Sequence, residues 1–317
     1  MEKILREFVE FAEGTKLPLE GIAVGDEKQV LFEHHFVPDL TRNIYSHTKS
    51  FMTTAVGLAI SDGKLNLDDS LAEMFADKAP EEVKTCTSEN GETWNLYDIK
   101  LRHLLTMSSG FGKEYLMSAS RRAGVGVPDY MKYMLSQEVI EKPGERFQYS
   151  TADSILAGRM VEKVVGVRMS EYLFDRILNP MGIGFPIWEN CPQGHPVGGA
   201  GMYLKLTDMM KLGQLYLADG KWNGQQLLDP AWIKEASSKQ IETPCVTEWE
   251  KADYWRCGYG YQFWMSPYEG SYRADGAFGQ VTTVLPVKGL VVSFQCPEVG
   301  NLDLVKKELH ERVFTQL

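Results

Sequence analysis

No apolar run in this chain of 317 residues reaches the ~18 needed to cross a bilayer, so no membrane span is expected. The amino terminus, Met1-Glu2-Lys3-Ile4-Leu5-Arg6-Glu7, mixes charges at helical spacing where a leader would carry a basic stretch and then an apolar one. A cytoplasmic protein is the expectation. Lys and Arg are outnumbered, for a net charge of -10, and form no stripe, which disfavours nucleic acid and anionic membranes as partners. Cysteine is sparse. Five residues, Cys86, Cys191, Cys245, Cys257 and Cys296, are odd in number and scattered, as suits reduced thiols better than a disulfide framework. There is no Cys-x-x-Cys and no His-Glu-x-x-His, and Cys191 with His195 falls short of the three or four ligands a metal needs. The glycine run Gly198-Gly199-Ala200-Gly201 lacks the Gly-Lys-Ser/Thr of a phosphate loop, so neither metal nor cofactor is expected.

What is present is globular: 44% hydrophobic and 24% charged, enough for one large domain or two lobes. The stretch from Tyr45 to Ile60 stands out. From Ser50 to Ser61 it has no charge, and small and apolar residues occupy more than one helical face, the pattern of a helix buried at the centre of a domain. At its mouth stand Ser46 and Lys49. Three residues apart on a helix, hydroxyl and amine share a face, and burial can lower a lysine's pKa until it accepts a proton near neutral pH. The pair reads as nucleophile and base. Ser61 and Lys64 repeat the spacing, but Asp62-Gly63 between them signals a helix stop. Ser46 by itself also reads as an ordinary helix-cap serine.

Along the chain, residues 3–13 read as an amphipathic helix, 19–24 and 29–34 as strands, and 48–61 as the central helix. Asp68-Asp69-Ser70 caps a further helix, Glu89-Asn90-Gly91-Glu92 marks a hairpin tip, and 99–107 and 129–140 return to helix. Residues 112–128 lack periodicity and form a candidate mobile loop. A helix begins at Ser150 or Thr151 and ends at Gly166, placing Tyr149 just outside its start; another, 207–218, is capped by Thr207-Asp208 and stopped by Gly220. In the final third, 259–265, 281–285 and 290–296 read as antiparallel strands, and 302–314 as a closing helix. The expected class is α+β. One antiparallel sheet is drawn from both ends (1–60 with 200–317), and a mostly helical lobe (61–199) is inserted, with Ser46 near the seam.

Several stretches in this order resemble the serine β-lactamase and penicillin-binding-protein-like hydrolases. They are Ser46-His47-Thr48-Lys49, His103 to Gly110, Pro143-Gly144 leading to Tyr149-Ser150-Thr151, Gly199-Ala200-Gly201-Met202, Gly258 to Trp264, and Ala274 to Gln280. The likeness is nearest the class C branch, with its esterases and 6-aminohexanoate-dimer hydrolases. The resemblance implies Ser46 as acylated nucleophile, Lys49 as its base and Tyr149 as proton shuttle, with Tyr149 and Lys49 titrating as a unit. It implies an oxyanion hole from the backbone amides of Ser46 and Ala277, the second on an edge strand. Thr151, Asp275 and Gly276 fall at substrate-binding positions.

Two departures bear on substrate. Thr151 stands where the family usually has Asn, and Ala274-Asp275-Gly276 replaces Lys-Thr-Gly. A cleft-facing Asp275 would repel a β-lactam carboxylate, and Arg273 would point to the opposite strand face. The expected activity is hydrolysis of a small ester or amide through an acyl-enzyme. A binding or sensor protein on the same fold, and a true β-lactamase or DD-peptidase, are the alternatives.

Overall fold

The structure, a computed structural model, describes residues 1–123, 129–243, 253–298 and 302–317. Its centre is a six-stranded antiparallel sheet: β1 (Gly21–Gly25), β2 (Val30–His35), β3 (Trp264–Met265), β4 (Tyr272–Gly276), β5 (Gln280–Leu285) and β6 (Leu290–Gln295), in spatial order β2-β1-β6-β5-β4-β3. The two ends of the chain meet where β1 pairs with β6, Gly21 opposite Gln295. Strand alternation sorts side chains between two apolar layers. Ile22, Val24, Val281, Val292 and Phe294 pack beneath helices α1 (Glu2–Thr15) and α5 (Leu302–Leu309). Ala23, Ala274, Val284 and Val291 face the larger core on the other side, which holds α2 (Thr48–Ser61), α3 (Thr151–Val165) and α4 (Leu206–Leu217).

Helix α2 has no solvent face: every residue from Thr48 to Ala59 is buried. Its interior position follows from its composition, since a helix apolar all round has nowhere else to lie. It runs against α3 and β4 and presents Gly57 to the indole of Trp232. A Cβ at Gly57 would run into that ring, so the glycine is there for close packing rather than flexibility.

Several expected elements have different bounds. The stretch 259–265 forms a strand only at Trp264–Met265, because Gly258 and Gln262 take positive φ (101° and 67°) and its rings divide between two clusters, Tyr261 and Phe263 in the main core and Tyr259 and Trp264 in a smaller aromatic one. Helix α4 begins at Leu206 with Lys205 at its cap and no side-chain cap bond; Asp208 pairs with Lys211 at 2.8 Å instead of capping. Residues 129–140 are helical only over Tyr130–Leu135, and 99–107 only over Leu101–Leu105. The 112–128 stretch contains a short helix, Ser118–Arg122, and its end lies outside the described residues, as does Cys245. Cys191 is buried, and His195 Nδ1 sits 3.0 Å from Glu162 Oε2. Among the described residues no helix is long and apolar enough to cross a membrane.

Replacing Gly57 with Ala improves helix propensity yet is expected to lower stability, since overpacking against Trp232 costs about 1–3 kcal/mol. Urea unfolding of Gly57→Ala checks this; a gain in midpoint would contradict the packing.

Candidate active site

Ser46 lies in a 3₁₀ turn, Tyr45–His47, that feeds directly into α2. Tyr45 carries φ of 46°, an unfavourable conformation for a side chain of that size, placed immediately before the half-buried Ser46. One turn on, Lys49 is 1% exposed and its Nζ lies 3.3 Å from Ser46 Oγ, 3.4 Å from Thr151 Oγ1 and 2.7 Å from the Gly199 carbonyl oxygen. All three partners are uncharged. A neutral amine fits them: two N–H groups donate to Gly199 and Thr151, leaving the lone pair for the Ser46 hydroxyl. Burial drives the Lys49 pKa well below its ordinary value, the Arg121 guanidinium pushes the same way, and Asp153 opposes in part. Arg121 itself is held by Glu189 at 2.8 and 2.9 Å.

Tyr149 comes from the segment leading into α3, and Ser46 is near enough to lower the pKa of its phenol. The Lys49 amine stands over its ring, 5.0 Å from the centroid, so the lysine meets the phenol's face. Burial raises the Tyr149 pKa, with Ser46 opposing, which keeps the phenol protonated. Its ring stacks on Trp264 at 5.7 Å and belongs with Phe147, Trp255 and Tyr259 to a separate aromatic cluster.

The opposite wall is the end of β4. Strand β3 pairs only with Tyr272 and Arg273, leaving the edge from Ala274 to Gly276 uncovered on that side. Gly276 abuts the Ile44 carbonyl oxygen so closely that a Cβ would collide with it, and the His47 ring is 3.2 Å from the Gln280 carbonyl oxygen. Burial holds the His47 pKa down at about 4, so at neutral pH the uncharged ring donates that bond. Phe278 packs edge-on against Tyr45, their rings 5.1 Å apart. These contacts bring Ser46 and the exposed Ala277 to one place, where two backbone amides can serve one oxyanion.

Asp275 is not where the sequence reading put it. Arg273 and Asp275 are two residues apart and therefore share a strand face, the one beneath α5. There the Asp275 carboxylate takes Arg273 Nε at 2.8 Å and Lys306 Nζ at 2.7 Å, all three residues being buried. Burial alone would raise the Asp275 pKa, but Lys306 and Arg273 outweigh it and hold it below the usual value. Repulsion of an anionic substrate by Asp275 is thus withdrawn. What remains of that departure is Ala274, a buried methyl where the resemblance implies a lysine, and one cation on this strand, Arg273, already committed to Asp275.

Sequence reasoning missed Asp153, Ser109, Arg121 and the Gly199 carbonyl. The glycine run was the available sign for the last: a Cβ at Gly199 would stand 3.1 Å from Lys49 Nζ. The second serine-lysine pair does not assemble, because Ser61 Oγ donates to the Gly57 carbonyl at 2.9 Å and Lys64 lies past the helix end.

A lysine under a serine turn, a tyrosine from the helical layer and an open strand edge, on an antiparallel sheet covered on both faces, define a protein of the penicillin-binding-protein and β-lactamase fold. Solved structures agree. A putative beta-lactamase from Bacteroides dorei superposes with a TM-score of 0.75 at 18% identity, covering 98% of each chain. A putative 6-aminohexanoate-dimer hydrolase from Bacillus anthracis gives 0.73 at 16% identity over 97% of this chain and 80% of that one. The chain belongs to the Beta-lactamase family, whose model matches residues 21–301. It is 29% identical over 174 residues to a lovastatin esterase of Penicillium rubens, a match covering 52% of this chain and 42% of that protein. The chain spans less than half the length of the curated relatives it matches.

Removing the Asp275 charge leaves Arg273 and Lys306 buried without a counterion, so Asp275→Asn is expected to cost about 3–5 kcal/mol. Because the folded-state pKa is depressed, this stabilisation is complete above the unfolded carboxylate value of 3.8 and fades as pH falls through the lower folded value. Denaturant midpoints of both proteins across that range check it; equal midpoints at neutral pH would contradict the ion cluster's role.

Proposed function

We propose that the protein is a serine hydrolase that cleaves a small ester or amide through an acyl-enzyme on Ser46. The observation carrying this reading is the 3.3 Å approach of the Lys49 amine to Ser46 Oγ, with only uncharged oxygens around the nitrogen. Lys49 takes the Ser46 proton as Oγ attacks the carbonyl carbon, and the backbone amides of Ser46 and Ala277 receive the oxyanion. Tyr149, next to Ser46, gives its proton to the departing alcohol or amine and takes back the one that Lys49 accepted, so the phenol and the amine are both restored. Water then attacks the acyl group with the same residues returning the proton to Ser46. Membership of the Beta-lactamase family and similarity to a protein named as an esterase support this chemistry. With Ala274 at the former lysine position, β4 offers no uncommitted cation to a carboxylate, which favours substrates without one there.

Intact mass after a fluorophosphonate is expected to show one adduct, lost in Ser46→Ala; labelling at another residue sinks the assignment. Lys49→Met is expected to reduce kcat/KM for a p-nitrophenyl ester by about 10²–10⁴. In the unaltered enzyme kcat/KM falls on acidification as Lys49 regains its proton, with a midpoint well below the ordinary lysine value. Turnover of the ester should exceed that of nitrocefin; the reverse order would reject the substrate reading.

A further inference from the structure

Asp153 sits on α3, two residues beyond Thr151, and is fully buried. One carboxyl oxygen, Oδ1, accepts the Ser109 hydroxyl at 2.9 Å. The other, Oδ2, has no partner among the described residues. A carboxylate with one bare oxygen in the interior is strongly disfavoured, as is an ammonium with no anion in contact. Lys49 is such a group: its three polar neighbours are oxygens of Ser46, Thr151 and Gly199. Both charges would be stable together only in direct contact with their remaining valences filled, and neither group has that contact.

We infer that Asp153 stands in the folded protein as the neutral carboxylic acid, and that it is a positioning residue which leaves Lys49 as a free amine facing Ser46. Moving one proton from Lys49 to Asp153 removes two buried charges at once, and the total number of protons is unchanged. Asp153 keeps this proton through the reaction; the proton that Lys49 accepts is that of Ser46. Burial pushes the Asp153 carboxyl up to about 8 against the opposing bond from Ser109 and the charge of Lys49. The other ionisable groups felt by the pair are Arg121, which also disfavours an ammonium at Lys49, and the phenol of Tyr259, itself held protonated by burial. The inference rests on the reading of Lys49 as the base.

Difference infrared spectra of the unaltered protein against Asp153→Asn test it. A carboxylic-acid C=O band assigned to Asp153 is expected below about pH 7, lost as the pH passes about 8; a carboxylate band in its place overturns the inference. Asparagine mimics the neutral acid, so the acid limb of kcat/KM in Asp153→Asn should stay within about half a pH unit of the original. A downward move of about one unit or more would show that an anion had been removed. Should Asp153→Asn fail to fold, the ¹⁵N signal of Lys49 Nζ in the unaltered chain decides: free amine supports the assignment and ammonium refutes it. Both spectroscopic readouts need no turnover, so a missing Ser46 adduct, which would sink the hydrolase reading, leaves them interpretable.

Discussion

An amine enclosed without a counterion organises the centre of this molecule. Lys49 is carried into the interior by α2, a helix whose other residues from Ser50 to Ser61 are uncharged, and the surrounding layers supply only neutral oxygens to it. Each neighbouring segment is shaped by that choice. The glycine run brings a main-chain carbonyl to 2.7 Å, α3 contributes a hydroxyl, and Tyr149 covers the amine with a ring face. Solvent would stabilise an ammonium; this packing withholds solvent, and the uncharged amine is favoured.

The second cationic cluster shows the opposite solution to the same problem. Beneath α5, Asp275 lies between Arg273 and Lys306 in direct contact and opposes the burial that lowers the Lys306 pKa, and the Lys306 amine lies 4.1 Å from the centre of the Trp255 ring. Two lysines, both buried, thus have different chemistry according to whether a carboxylate touches them. The ion cluster ties α5 to β4, the strand whose free end flanks Ser46, so a structural contact on one face of the sheet fixes a reactive edge on the other.

Local patterns made much of this legible from sequence. The central helix was readable from its unbroken run of uncharged residues, and the Ser46–Lys49 contact from helical spacing. Strands β1, β2, β5 and β6 were readable from apolar and β-branched runs between turns. Where the reading departed from the structure, the deciding contacts were distant ones. Asp275 is matched by Lys306, 31 residues away, and nothing in the strand itself announces that partner. Asp153 looks like any helical carboxylate until α3 is seen packed in the core, facing Ser109 from 44 residues upstream. The aromatic stretch 259–265 has strand-like composition but bends at Gly258 and Gln262, and its rings are shared between two apolar clusters.

The pairing of β1 with β6 bears on the order in which such a chain can mature on the ribosome. Residues 21–25 have no neighbour on that side until 291–295 have been synthesised, and a sheet closed by so distant a pairing forms slowly. The turn bearing Ser46 is braced by Gly276 and Gln280, which also arrive late. A nascent polypeptide therefore holds Ser46 in an unsupported loop for most of its translation, and the contacts that fix this turn form only in the last stage of assembly.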